Sequence, residues 1–408
     1  MARLKRSLRA DEWNLKKKKK RKLLLFLGVI GILIVLGIAI VLHRETMVYT
    51  SFKVVGSTEL TNAKESNFVK YKNGVLKYNR DGAEAIGADG TVLWNVSYNM
   101  KKPIVDVEGS YAVIADMGSY DLYIVNGSGT TNTLTMTEPI AEVKVASQGV
   151  TAVLTGNGTS DFIYFYDMDS ENGGTTIIDI KTLVATDGFP IDISLSEDGT
   201  KLVTSYLAVD DDNDGVVSKV TFYSYREYGK NQVDNLVGFY SDYHGEVIPK
   251  VEFLTNEAVA AFRDTGITLY SIKEVPSEIM RETYTEKIHS VCYNDMYIGV
   301  ILDGANNTQE RKVILYNLSG KKILEKEVRF NFEKVTLIEN QIIFYNSTEC
   351  NIMNVDGSMK FYSQFHTNVT SLYQTSGGNE YLLVTDVGLD KIQLIKSEVT
   401  NYKESRGF

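Results

Sequence analysis

Apolar positions fall into two unlike patterns along this chain. Residues 23–42, LLLFLGVIGILIVLGIAIVL, carry no polar side chain at any of their twenty positions. At 1.5 Å per residue a helix of that length spans about 30 Å, the hydrocarbon thickness of a bilayer. A soluble core helix would show a polar face, and none is present. Past His43 the pattern changes to short runs of Val, Ile, Tyr, Phe and Thr, broken by pairs such as Asn73-Gly74, Asp89-Gly90, Asp198-Gly199 and Asp356-Gly357. Asn-Gly and Asp-Gly accept the positive φ angles of tight hairpins, so the runs read as strands joined by turns. No amphipathic helix interrupts them, which excludes βαβ folds and predicts an all-β domain.

The runs repeat. A strand, a glycine turn and a second strand recur as 85–94 (AIGADGTVLW), 315–324 (LYNLSGKKIL) and 352–359 (IMNVDGSM). Turn glycines at Gly90, Gly127, Gly174, Gly229, Gly320 and Gly357 are 37, 47, 55, 91 and 37 residues apart, with Pro276 standing in the doubled interval. A second unit opens another strand at Pro103, Pro139, Pro190 and Pro249, four of the chain's 5 prolines. A strand's first residue is where the missing N–H of proline is tolerated. Two more strands fit between each proline and the next glycine turn. Four strands per period of about 40–50 residues are the signature of a β-propeller blade. Blade-like units start near Phe68, Pro103, Pro139, Pro190, Pro249, Ile288, Phe332 and Asn368, giving eight, with seven the alternative if the long fourth unit is miscounted. The last unit holds three strands ending near Leu394, and residues 50–60 are expected to supply its fourth, closing the ring and removing both sheet edges.

Residues 88–94 resemble the turn of quinoprotein-like propellers, and 195–202 (LSEDGTKL) resemble the Asp-Gly hairpin common in bacterial and WD-repeat-like propellers. The whole chain resembles the uncharacterised membrane-anchored propeller proteins of Gram-positive bacteria. That resemblance implies a fold and an anchor, with no assigned biochemistry. A quinone-dependent activity is not carried over, because it needs an aromatic floor and a metal site, and only Trp13 and Trp94 exist.

Charge orients the chain. Residues 1–22 carry a net +9, whereas 43–408 carry a net −18. The apolar stretch is longer than a signal peptide's and ends Ile-Val-Leu-His-Arg, without a small-residue cleavage site, so it reads as an uncleaved anchor. The Lys16–Lys22 run then stays in the cytoplasm and the acidic bulk lies outside. The expected organisation is a basic cytoplasmic tail at 1–22, a bilayer-spanning anchor at 23–42, a juxtamembrane segment at 43–67 with the ring-closing strand, a propeller at 68–396 and a tail at 397–408. An acidic ectodomain excludes nucleic acid as a partner.

Candidate chemistry is sparse. Asp210, Asp212 and Asp214 with Gly215 match the first half of a calcium loop, in which alternating carboxylates converge. Position nine is Ser218 and position twelve is Thr221, so the bidentate Glu is missing and any calcium site would be weak. Asp106, Glu142, Asp192 and Glu252 follow the recurring prolines on what should be each blade's innermost strand. There they either line the central channel, for a cation or basic peptide, or satisfy backbone in the neighbouring blade. No nucleophile elbow, His-Glu-x-x-His or phosphate loop is present, and His43, His244, His289 and His366 are scattered. The chain is therefore expected to be no enzyme. Cys292 and Cys350 are expected as small core residues, pairing being the alternative. Tyr223, Tyr225, Tyr228, Tyr240 and Tyr243 cluster in the enlarged fourth unit and point to a recognition surface there. The sequence thus predicts a non-catalytic scaffold recruiting another cell-envelope protein, the alternative being a sensor or binding module for a small ligand, cation or cell-wall glycan.

Overall fold

The structure is a computed structural model that describes residues 30–32, 48–167, 175–210, 215–304, 310–375 and 378–396. Two compact units are distinguished, Met1–Val48 and Tyr49–Phe408. In the first, residues 30–32 are helical; the basic tail and the rest of the 23–42 stretch lie outside the described residues. Among the described residues no helix is long and apolar enough to cross a membrane.

The second unit is built of eight four-stranded antiparallel sheets. Blades 1 to 7 comprise residues 67–97, 103–135, 140–183, 189–244, 250–283, 288–328 and 334–364. Blade 8 combines 369–395 with the early strand Ser51–Glu59, which pairs along Gly388–Ile395. This excludes seven blades and places the ring-closing strand where the sequence expected it. Each blade starts within two residues of its expected position, because the prolines and their equivalents mark the entry to the innermost strand. Pro103 opens its strand, Pro190 is second in Phe189–Leu195, and Pro139 and Pro249 immediately precede Ile140–Val145 and Lys250–Thr255.

The core is a series of apolar layers between blades. Leu76, Ala85 and Trp94 of blade 1 pack with Ile114 of blade 2, and Phe68 and Val75 of blade 1 pack with Val384 and Leu389 of blade 8. Alternation along each strand produces this, since successive side chains face opposite neighbours and both faces are covered. Polar ties cross the same layers. The Tyr71 hydroxyl of blade 1 donates to Ser110 O of blade 2 at 2.8 Å and accepts from Trp94 Nε1 at 3.0 Å. Lys201 of blade 4 is fully buried and donates to Asn256 O and Ile272 O of blade 5 at 2.7 and 2.8 Å.

One turn joins the third and fourth strands repeatedly. In 87–91, 126–130, 317–321 and 354–358 the first residue's N–H donates to the fifth residue's carbonyl, and the fourth residue's N–H returns to the first. The fourth residue is Gly90, Gly129, Gly320 or Gly357, with φ between 79° and 85°. This is the three-residue hairpin loop whose last position is left-handed. The spacing of the sequence points to Gly127 for blade 2, but Gly129 holds the left-handed position because Asn126 starts the turn. Gly229 sits in the one-turn helix Glu227–Lys230, and Gly174 lies outside the described residues.

Cys292 and Cys350 are free and buried, in blades 6 and 7. The tyrosine cluster of blade 4 is largely core. Tyr223 and Tyr243 are 6% and 1% exposed, Tyr225 and Tyr240 are half-buried, and only Tyr228 of the five is exposed.

Candidate functional site

The innermost strands of blades 2 to 5 carry the four carboxylates expected at the channel. On each, one set of alternate positions is apolar and packs back on the preceding blade: Val105 and Val107, Val143 and Val145, Ile193 and Leu195, Val251 and Phe253. The intervening positions face the next blade, and there stand Asp106, Glu142, Asp192 and Glu252. The corresponding positions in blades 6 to 8 are Ser290, Thr336 and Ser371, so carboxylates occupy only one half of the ring.

These carboxylates reach across to the following blade. Asp106 Oδ2 accepts from the Val145 N–H at 2.8 Å, Glu142 Oε2 from Ile193 at 3.1 Å, and Asp192 Oδ2 from Val251 at 2.8 Å. Ser194 Oγ extends the series by accepting from Phe253 N at 2.9 Å. Glu252 departs from it, accepting instead from the Tyr293 hydroxyl of blade 6 at 3.0 Å. Of the two sequence readings, the geometry realises the satisfaction of neighbouring backbone in three of the four cases. An inner strand needs this because its channel-side edge has no strand partner to take its N–H groups.

Two lysines missing from the sequence reading complete the wall. Lys144 Nζ lies 3.1 Å from Glu142 Oε1, and Lys250 Nζ lies 3.0 Å from Glu252 Oε2. Glu-x-Lys and Lys-x-Glu are spaced by two, which on a strand puts both side chains on one face, and that spacing was the available signal. Burial pulls both lysines down, but Glu142, Asp106 and Glu252 around Lys144, and Glu252 beside Lys250, hold both above the ordinary lysine range. Asp192 moves the other way. Burial first and the nearby Glu142 second push it up to about 8, against the pull of Lys144, the Val251 N–H and Lys250. Burial also raises Asp106, opposed by Lys144 and the Val145 N–H, and raises Glu108, helped by Glu197 and Asp106. The result is a cross-linked acidic and basic network along blades 2 to 6, with its polar atoms mutually engaged.

Of the calcium-loop residues the structure describes Asp210 and Gly215. Asp210 ends its strand opposite Gly215, is 4% exposed, and places Oδ2 2.6 Å from His244 Nδ1. Asp212 and Asp214 lie outside the described residues. Among the described residues no three His, Cys, Asp or Glu side chains are grouped to hold a metal ion. His289 Nδ1 sits 3.0 Å from Asp303 Oδ1 in blade 6, while His366 is exposed on the loop between blades 7 and 8.

The rim of blade 4 bears exposed apolar side chains that the tyrosine pattern did not indicate. Val233 is 83% exposed, Phe239 55% and Leu236 37%, on the outer strand Leu236–His244 and the turn before it. Val275 and Ile279 at the outer strand of blade 5 are likewise exposed. The two outer strands meet where Tyr240 donates to Pro276 O at 3.3 Å.

A family model described as a family of unknown function, DUF5711, matches residues 44–394. Comparison with curated proteins gives no match. Solved propellers resemble the fold. Saccharomyces cerevisiae Sqt1 aligns at TM-score 0.58 and 10% identity, over 85% of this chain and 100% of that one. Chaetomium thermophilum Sqt1, solved bound to the N-terminus of a ribosomal protein, aligns at TM-score 0.53 and 11% identity over 85% and 100%. The computationally designed Ika8 protein aligns at TM-score 0.52 and 12% identity over 86% and 100%. At such identities the likeness is one of fold.

Proposed function

The chain belongs to the DUF5711 family of unknown function, and from that premise we propose that it is a non-catalytic, membrane-anchored propeller that recruits or organises another cell-envelope protein. In this reading residues 23–42 span the membrane, the basic tail stays in the cytoplasm, and the propeller lies outside. The carrying observation is the contrast between channel and rim. The channel carboxylates are engaged by backbone of the next blade, by Tyr293 and by two lysines. The rim of blades 4 and 5 instead presents Val233, Leu236, Phe239, Val275 and Ile279 to solvent. Exposed apolar groups clustered on a rigid scaffold favour a protein partner over a small ligand. The C. thermophilum Sqt1, bound to a protein N-terminus, supports the idea that a propeller of this kind can serve such a role.

The test is mild cross-linking and affinity capture of the full-length protein in its own cells, comparing the natural sequence with Val233→Glu/Phe239→Glu. The reading expects one envelope protein that is recovered with the natural chain and lost with the variant. Recovery unchanged by the variant sinks the assignment to this rim. Failure to enrich any protein over an anchor-only control sinks the scaffold. Labelling of single introduced cysteines from outside intact cells tests the topology separately, since an extracytoplasmic propeller must label on its surface loops.

A further inference from the structure

Blade 4 projects on the face of the ring where its inner strand begins. Its second strand, Lys201–Asp210, has ten residues, against five to seven for the second strands of the other blades. Phe189, the first residue of the inner strand, pairs with Leu207. Ala208, Val209 and Asp210 run on past it, partnered by Val217, Val216 and Gly215 of the third strand. At about 3.3 Å per residue the hairpin stands about 10 Å clear of the inner strand.

The two sides of this projection differ. Leu202 packs toward blade 3 and Val203 toward blade 5. Alternation then turns Ala208 and Asp210 toward blade 3, and Leu207 and Val209 toward blade 5. The blade 3 side is filled: Gly188 lies so near Ala208 that an added Cβ would meet the alanine Cβ at 3.1 Å, and Asp210 engages His244 at 2.6 Å. On the blade 5 side the connection 245–249 reaches up to Ser218, the partner of Leu207. There the Ser218 hydroxyl donates to Glu246 O at 2.8 Å and accepts from the Ile248 N–H at 3.2 Å. Above that pair the side is open to solvent. Val209 is 74% exposed, its partner Val216 36% and Phe189 46%. Cross-strand and diagonal neighbours on one sheet face lie within about 8 Å of each other, so these side chains form one apolar shelf.

The border of the shelf is acidic. Asp187 stands two residues before Phe189, and the connection between the two long strands reads Asp211-Asp212-Asn213-Asp214. Exposed Asp264 accepts the Val247 N–H at 3.2 Å on the connection below. Arg263 beside it is buried and paired with Glu246. A second copy of this chain would bring the same carboxylates against their like, and an anionic lipid surface would be repelled. An apolar segment carrying basic residues meets both the shelf and its border.

We propose that the blade 5 side of this hairpin docks a segment of a protein partner in which apolar side chains are flanked by lysine or arginine. The inference rests on the recruiting role proposed above and adds a contact to it, since the turn bearing Val233 lies beyond the other end of Gly215–Ser224.

Selection of short peptides from a random display library on the purified full-length protein tests this. The expectation is enrichment of peptides that combine Val, Leu, Ile or Phe with Lys or Arg. As synthetic peptides in fluorescence anisotropy they should bind more weakly as salt is raised. Val209→Lys/Val216→Lys and, as a second variant that adds no charge, Phe189→Ser should each weaken them at least about tenfold. Circular dichroism checks that each variant keeps its strands. A selection that enriches nothing, or binding undiminished on either folded variant, overturns the site. Enrichment of acidic peptides overturns the partner class, and self-association abolished by Val209→Lys/Val216→Lys assigns the shelf to a second copy instead. Val233→Glu/Phe239→Glu should leave peptide affinity unchanged, which separates the two surfaces. An envelope protein captured through the rim while no peptide binds the hairpin refutes this site and leaves the recruiting role standing.

Discussion

Replacing Asp192 by asparagine should change how the propeller responds to pH, and the size of the change follows from its surroundings. The carboxyl is raised from 3.8 to about 8 by burial and by Glu142. An acid with a raised folded-state pKa binds a proton in the folded chain that it has lost in the unfolded one. Its favourable contribution is therefore complete below about pH 4 and is lost as pH rises to about 8. Across that window each pH unit removes about 1.4 kcal/mol, which sums to about 6 kcal/mol at most. Asparagine is isosteric, keeps an oxygen for the Val251 N–H and has no proton to lose. Urea unfolding, followed by the fluorescence of buried Trp94, should show the natural chain weakening between pH 5 and pH 8.5. Asp192→Asn should follow a flatter profile and be the more stable of the two at the alkaline end. Parallel profiles for the two proteins would refute the claim that Asp192 is held neutral by its position. A variant less stable than the natural chain at every pH would show instead that the ionised form, paired with Lys144 and Lys250, is the one the fold uses.

Three further outcomes follow from other parts of the ring. Gly90→Ala should lower stability by about 1–3 kcal/mol, measured as a fall in melting temperature, because φ is 82° and a Cβ would overlap Thr58 of the ring-closing strand. Lys201→Met should cost about 1–3 kcal/mol in urea unfolding, since it strands the carbonyls of Asn256 and Ile272 between blades 4 and 5. Cys292, which burial pushes up to about 12, and Cys350, pushed higher still, should resist maleimide at pH 8 in the folded chain and both react once it is denatured; rapid labelling of the native protein would contradict their burial.

The periodic part of this fold was legible because local rules control it. Proline can enter a strand only at its start, and the left-handed turn position needs glycine, so the inner strands and many turns announce themselves. The blade 2 turn lies two residues from the glycine its spacing indicates, because Asn126-Gly127 and Ser128-Gly129 are both turn-forming pairs and hydrogen bonding back to Asn126 decides between them. Asp106 and Asp192 could be placed on inner strands from sequence, but their partners lie 39 and 59 residues away, set by the angle between blades. The tyrosines of blade 4 misled for a related reason. Strand propensity enriches tyrosine on either face, and only the packing of blades 3 and 5 against both faces buries Tyr223 and Tyr243. Val233 and Phe239 gave no warning, since an apolar residue on an outer strand looks the same in sequence as one in the core.

Order of synthesis gives the closing strand a kinetic meaning. Ser51–Glu59 is made early, yet its partner is the last strand of the ring; the Ser57 hydroxyl and Asp390 carboxylate that bond at 2.5 Å are 333 residues apart. At roughly 5–20 residues per second the early strand waits on the order of 20–70 s before its partner exists. Blades 1 to 7 are sequential hairpins that can form as they emerge, whereas blade 8 must close the longest loop in the molecule. During the wait Ser51–Glu59 has both edges open, with Val54 and Val55 exposed along it. The same strand from a second chain would fit the vacant edge of Gly388–Ile395 equally well. Exchange of this one strand between two copies is therefore the assembly error that this topology most readily allows.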